Sequence, residues 1–271
     1  MVSQFSEPVE IEEEPAPDKY VESAKDALIS LFDREPNRAY FLKQLEVKLE
    51  KAHFHWVTAR ATNELIRDGI LRSEQLPLGA QTRVKFVFHR SYRYYKREIE
   101  RLLKVVRSYS RPEIARACGE QADILFFNAF MNRGFSSCGQ DTNEFQGTRW
   151  TETNHNLDFI IQRDGIAYGC EIKNTWDYMD GREMRLKVRL CQHIGTTPLF
   201  IVRYAPKTYI EEVRLAGGFT LLFVYQIYPF GQNELVRQIT NILEMGADCP
   251  TAIPSGIIDR FMRWHASKLT G

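Results

Sequence analysis

With 271 residues, 44% hydrophobic and 26% charged, the chain has the apolar content for one large or two small domains and the balance of a soluble globular protein. No apolar run reaches membrane-span length and no basic start precedes an apolar stretch, so neither a membrane segment nor a secretory signal is expected. The net charge of +1 hides an asymmetry: residues 1–18 carry −6, residues 19–110 carry +8 and residues 111–271 carry −1, so a polyanion is expected to dock on the N-terminal third.

Five cysteines, Cys118, Cys138, Cys170, Cys191 and Cys249, are odd in number and lack CxxC spacing. Reduced thiols in a cytoplasmic protein (nuclear in a eukaryote) are expected, and a zinc site is not. The acidic, proline-containing stretch Met1–Asp18 is expected to be disordered, either as a solubilising tail or as an autoinhibitory one lying on the basic surface.

Residues 19–90 predict three helices and two strands. The first helix, Lys19–Asp33, carries Val21, Ala24, Ala27, Leu28 and Leu31 at helical spacing, and Pro36-Asn37 breaks it. Ala39–Leu49 and Trp56–Asp68 follow, the latter with Val57, Ala61 and Leu65 or Ile66 inward and Gly69 as cap. Strands Ile70–Glu74 and Arg83–His89 flank a loop, Gln75–Thr82. This order, and the phrase NELIRDGILRSE at the third helix, resembles a winged helix-turn-helix, mostly α with a β wing. The exposed side of the third helix would show His55, Thr58, Arg60, Thr62, Asn63 and Arg67, and Arg60, Asn63 and Arg67 are the candidates for bases and phosphates. Winged helices also contact proteins, so both partners stay open here. Residues 91–110 lie in a basic linker helix, either a phosphate-tracking strut or a seal at the domain junction.

The second domain spans 111–271. Arg111-Pro112 opens it with proline near a helix start, and the helix Glu113–Asn132 buries Ile114, Leu125, Phe126, Ala129 and Phe130 before Gly134. Phe135–His155 is a long polar connection with room for an extra hairpin, and Asn154, His155 and Asn156 stand just before the next strand. Two strands then meet at Asp164-Gly165, a hairpin dipeptide. Alternation puts Ala167, Gly169, Glu171 and Lys173 on one face of the second strand, and Asp158 can lie beside Glu171 across the ladder. Two carboxylates there are the oxygen ligands a magnesium ion takes, and a lysine two residues on can reach the same water or phosphate oxygen. A helix at Gly181–Ile194, strands at Pro198–Tyr204 and Phe219–Tyr225, and helices at Glu234–Glu244 and Ile257–Lys268 complete the chain. No Gly-rich phosphate loop is present, so no nucleotide cofactor is expected.

Asp158, twelve intervening residues and Glu171-Ile172-Lys173 resemble the PD-(D/E)xK nuclease superfamily, with Leu157 at the position of the family's proline. The resemblance implies an α/β fold, a restriction-endonuclease-like mixed sheet flanked by helices, and metal-dependent hydrolysis of DNA. It implies Mg²⁺, with Mn²⁺ able to substitute, held by Asp158, Glu171 and the carbonyl of Ile172, with Lys173 acting on the water. Glu120, with Glu113 as runner-up, matches the family's first-helix glutamate, joining the metal directly or through water. The helix after the motif lines the cleft in that family, so Arg189 and Gln192 become candidate phosphate or water contacts. DNA is the implied partner, a homodimer remains open, and no membrane is involved. The rival is a DNA-binding regulator that keeps the fold without cutting.

Overall fold

A computed structural model describes residues 18–79 and 82–270, with side chains from residue 19 onward. The acidic segment Met1–Asp18 lies outside the described residues, apart from the backbone of Asp18. The chain divides into two compact units, Met1–Leu76 with Val84–Lys96 and Pro77–Arg83 with Arg97–Gly271.

In the first unit α1 (Asp18–Arg34) buries Val21, Ala24, Leu28, Leu31 and Phe32, the stripe that its 3.6-residue repeat dictates. β1 (Ala39–Phe41) leads into α2 (Leu42–Leu49), then α3 (His55–Arg67), β2 (Leu71–Pro77) and β3 (Arg83–His89). The three strands pair in the order β1-β3-β2. α3 packs Val57, Ala61 and Leu65 inward. It stops where Gly69 takes a φ of +70°, a left-handed conformation that costs glycine little, and Ile70 N–H donates back to Leu65 O. Thr58 and Thr62 are not on the exposed side as expected: both are fully buried, and Thr62 Oγ1 donates to Thr58 O at 2.7 Å. Their i, i+4 spacing sets them beside the Ala61 stripe, where the Thr62 hydroxyl is buried by bonding the preceding turn while Thr58 Oγ1 is buried without a hydrogen-bond partner among the described residues. β2 runs three residues further than the strand expected there, to Pro77.

α4 (Tyr95–Tyr109) precedes α5 (Pro112–Met131). The sheet of the second unit comprises β4 (Ser136–Thr142), β7 (Leu157–Arg163), β8 (Ile166–Lys173), β9 (Thr197–Val202) and β10 (Phe219–Leu222), in the order β10-β9-β8-β7-β4. Between β4 and β7 lies the small hairpin of β5 (Glu144–Phe145) and β6 (Thr148–Arg149). β4, β7 and β8 pair antiparallel, while β8, β9 and β10 run parallel, so the sheet is mixed. Asp164 and Gly165 both take positive φ, +51° and +78°, as a two-residue hairpin with the twist of its strands requires.

One sheet face meets α5 and α9 (Ser255–Leu269), where Phe126, Phe130 and Phe261 close over Phe159, Tyr168, Cys170 and Ile172. The other meets α6 (Gly181–His193), whose Leu190 and Cys191 cover Leu157 and Ile160, and α7 (Lys207–Leu215), whose Val213 joins Met184, Phe200 and Val202. Burying both faces explains why β9 reads as the continuous apolar run PLFIV. The expected helix Glu234–Glu244 is shorter: α8 (Asn233–Gln238) passes into a π-helical turn, Ile239–Leu243. After β10 the chain makes β11 (Gln226–Ile227), which pairs in parallel with β12 (Ala247–Asp248).

Candidate functional site

β8 is the central strand of the sheet. On it Tyr168, Cys170 and Ile172 join the apolar core, so pleating turns Gly169, Glu171 and Lys173 toward α6. Phe159 pairs with Cys170, and one more step in the same register sets Asp158 opposite Glu171. The turn at Asp164-Gly165 fixes that register, and with it the meeting of the two acids.

Glu171 is 2% exposed, and a carboxylate that deep needs partners. It has two: Lys187 Nζ lies 2.6 Å from Oε2 and Lys173 Nζ lies 3.2 Å from Oε1. Lys187 is itself buried and also donates to Asn156 O. Lys173 is a third exposed and reaches Glu183 Oε1 at 2.8 Å. The site therefore has a buried floor, Glu171 and Lys187, and a mouth at Lys173 and Glu183. Burial opposes the charge on Lys173, but Glu171 and Glu183 outweigh it and hold the ammonium above the ordinary lysine value. Lys173 is thus a cation at neutral pH, a donor of charge and hydrogen bonds rather than a base.

Asp158 Oδ2 accepts Ile172 N–H at 2.5 Å. Burial first, then the charge of Glu171, push its carboxyl up to about 7, although the Ile172 bond pulls the other way. Asp123 on α5 belongs to the same field: burial, then Glu171, then Glu120 raise it to about 6. Glu171 raises both Asp158 and Asp123, and Asp123 raises Asp158 further, so the cluster gains from an added cation. Among the described residues no three acidic, His or Cys side chains converge as a ready-made metal cage. Magnesium does not need one, since it keeps several waters and takes one or two carboxylates. Asp158, Glu171 and the Ile172 carbonyl fit that chemistry.

Other expected residues lie elsewhere. Glu120 is exposed on α5 and ion-paired with Arg116 at 3.8 Å, and Glu113 is exposed beside Arg111; the α5 acid that couples to Asp158 is Asp123. Its sequence signal is an acid at the head of the stripe Phe126, Phe127 and Phe130, spaced i+3, i+4 and i+7. Arg189 and Gln192 are on the solvent side of α6, with Arg189 paired to Glu152 at 3.7 Å. The face that meets the site carries Glu183 and Lys187, because Met184, Leu190 and Cys191 bury it against the sheet. A lysine inside that apolar stripe was the clue. Asn156 reaches Asp141 Oδ1 at 3.0 Å, and His155 bonds Thr153.

Asn174, next after Lys173, is a buried node. Its side chain donates to Cys118 O and Ile227 O and accepts Ile227 N–H, at 2.6–2.8 Å. These bonds fasten the motif end of β8 to α5 and β11. In the first unit Arg60 pairs with Glu64, Asn63 Oδ1 accepts from Lys85 Nζ at 2.8 Å, and Arg67 is exposed. No family model, no curated protein and no solved structure matches this chain.

Proposed function

We propose that the chain is a divalent-cation-dependent DNA endonuclease of PD-(D/E)xK type, whose N-terminal winged helix-turn-helix holds DNA. The observation that carries this reading is one constellation on the two central strands: a buried Glu171 and a half-buried Asp158 that it raises, beside a lysine kept cationic. Asp158, Glu171 and the Ile172 carbonyl would hold Mg²⁺ or Mn²⁺. Bound there, such a cation would lower the pKa of a water and would neutralise charge on the scissile phosphate. Lys173 orients that water and meets the negative charge that builds on the phosphorus oxygens in the transition state. Lys187 fixes Glu171 in place through their ion pair. Asp123 adds negative charge that favours cation entry. Arg60, Asn63 and Arg67 of the first unit hold bases and phosphates.

A second reading is a DNA-binding regulator that keeps the fold without cutting. One observation favours it: two ammoniums already hold the oxygens of Glu171, and Ile172 N–H holds Asp158 Oδ2, so the site is partly satisfied without a metal. Incubation of the protein with linear, supercoiled, single-stranded and branched DNA in Mg²⁺ or Mn²⁺ separates the two. Cutting of at least one substrate, abolished by EDTA, is the nuclease result. DNA binding with no cutting of any substrate is the regulator result, and cutting that persists in EDTA overturns the metal mechanism.

A further inference from the structure

Val224 has a φ of +60°, a conformation that β-branched side chains almost never adopt. Tyr225 N–H donates to Phe223 O at 3.0 Å across it, closing a three-residue turn of the rare, strained hand. Val224 is nevertheless 62% exposed, so no packing of its own side chain compensates the strain. Six residues on, Phe230 is 84% exposed, the most exposed of the chain's large apolar side chains among the described residues. It stands in a turn that Gln232 N–H closes by donating to Pro229 O at 3.2 Å, with Gly231 at a φ of +91°.

The segment between them is firmly held. Ile227 and Tyr228 are fully buried, Gln226 and Tyr228 N–H groups donate to Gly246 O and Asp248 O at 2.8 Å, and the Ile227 backbone is clasped by Asn174. Asn174 follows Lys173 directly. Arg203 N–H donates to Lys173 O at 3.2 Å and Val224 N–H donates to Arg203 O at 3.0 Å, so Val224 stands at the same sheet end as Lys173, two strands across. Phe230 is three residues beyond Ile227, a reach of at most about 11 Å. A rigid apolar pair is thus presented close to the lysine end of the site. Val224–Gln232, VYQIYPFGQ, contains no charged residue, so this loop offers a phosphate no cation to pair with. Its outward groups suit the flat, apolar face of a nucleobase.

We propose that Val224 and Phe230 are a base-reading wedge, and that the substrate class is DNA with an unpaired or unstacked nucleotide near the cut. This rests on the nuclease reading and narrows it. A phenyl ring stacks on any base, which selects an available base over a stacked one without selecting its identity. In an intact duplex the same insertion must pay for unstacking a step, which penalises that substrate. Strain held at an exposed residue fits such a role, since it fixes the wedge before DNA arrives.

The test is binding by the full chain in Ca²⁺ to a short duplex and to the same duplex carrying a single unpaired nucleotide, with 2-aminopurine as that nucleotide. Wild type is expected to bind the second duplex more tightly and to change the 2-aminopurine fluorescence. Phe230→Ala should weaken binding of the second duplex about tenfold, within the range of one base–aromatic stack, and leave the intact duplex unchanged. Phe230→Trp should retain the preference. Val224→Gly should lose part of it while raising Tm by about 2–4 °C, because glycine relieves the strain. A preference unchanged in Phe230→Ala, or absent in wild type, overturns the wedge while duplex binding and cutting still support the nuclease. Binding to neither duplex removes both readings. A dimer lost in Phe230→Ala with the unpaired-base preference intact assigns the ring to self-association and overturns the proposal.

Discussion

Glu171 is the residue on which the site turns, a carboxylate in the sheet interior with an ammonium on each oxygen. Breaking a buried pair from one side leaves the other charge uncompensated, at a cost of about 3–5 kcal/mol. Lys187→Met should therefore lose about that much stability in urea or guanidinium unfolding, and Glu171→Gln added to it should restore most of the loss. A Lys187→Met protein as stable as wild type contradicts the pairing. The acids give a second prediction with a definite sign. Asp158 and Asp123 are raised above the ordinary value of 3.8, to about 7 and about 6. Raised groups hold protons in the folded state that the unfolded chain has released, so their contribution is complete below the ordinary value. It fades as pH rises through about 6 and 7. In EDTA the stability should fall across that window, and saturating Mg²⁺ should flatten the fall as its binding expels a proton. A cation effect on stability that is the same at pH 5 and pH 8 contradicts this. The acid and base of β8 were legible in sequence because a charged pair in an apolar strand is conspicuous. Asp123 and Lys187 are marked in the sequence only by their place in an apolar stripe, a fainter signal on helices that carry several other charges.

At the scale of elements, what brings Lys187 to Glu171 is the close approach of α6 to β8 over Gly169. A β-carbon at Gly169 would lie 2.7 Å from both Cys191 Sγ and Leu157 Cδ1 and 2.8 Å from Thr196 Oγ1. Gly169→Ala should cost about 1–3 kcal/mol in unfolding free energy as an overpacked contact. The push against α6 should also weaken the Lys187 pair, so Gly169→Ala combined with Lys187→Met should cost less than the two separate losses added. Full additivity would show that Gly169 does not set the approach. The hairpin of β7 and β8 was readable because Asp-Gly and period-2 apolar residues agree. β4 was not, since Ser-Ser-Cys-Gly-Gln-Asp-Thr is an edge strand with no apolar face, and α7 buries only Val213. The inward side of α6 was misread because its arginines advertise the solvent face and its lysine sits among the residues that pack.

For the whole molecule, the long helices and the strands β2, β3 and β7–β10 followed from periodicity, β1, β4 and α7 did not, and the mixed sheet followed only from resemblance. How the chain divides at Lys96–Arg97 and between β2 and β3, at Pro77–Arg83, has no compositional mark. On the DNA-binding reading proposed above, the charge asymmetry places much of the affinity in residues 19–110. Arg67→Glu should weaken binding of all duplexes alike and lower the slope of log affinity against log salt by about 1, with the cutting rate of bound DNA unchanged. A slope equal to that of wild type would place the phosphate contacts elsewhere. The central claim, that Asp158, Glu171 and Lys173 form a phosphodiester-cleaving site, is tested most directly by single-turnover cleavage in Mn²⁺ beside DNA binding in Ca²⁺. Wild type, Asp158→Ala and Lys173→Ala are compared. Lys173→Ala should bind DNA nearly as wild type does and cut on the order of a hundredfold or more slowly, since its cation acts on charge that appears only in the transition state. Asp158→Ala should bind DNA at least as well and not cut, with partial recovery at high Mn²⁺. A Lys173→Ala protein that cuts at the wild-type rate would contradict the account.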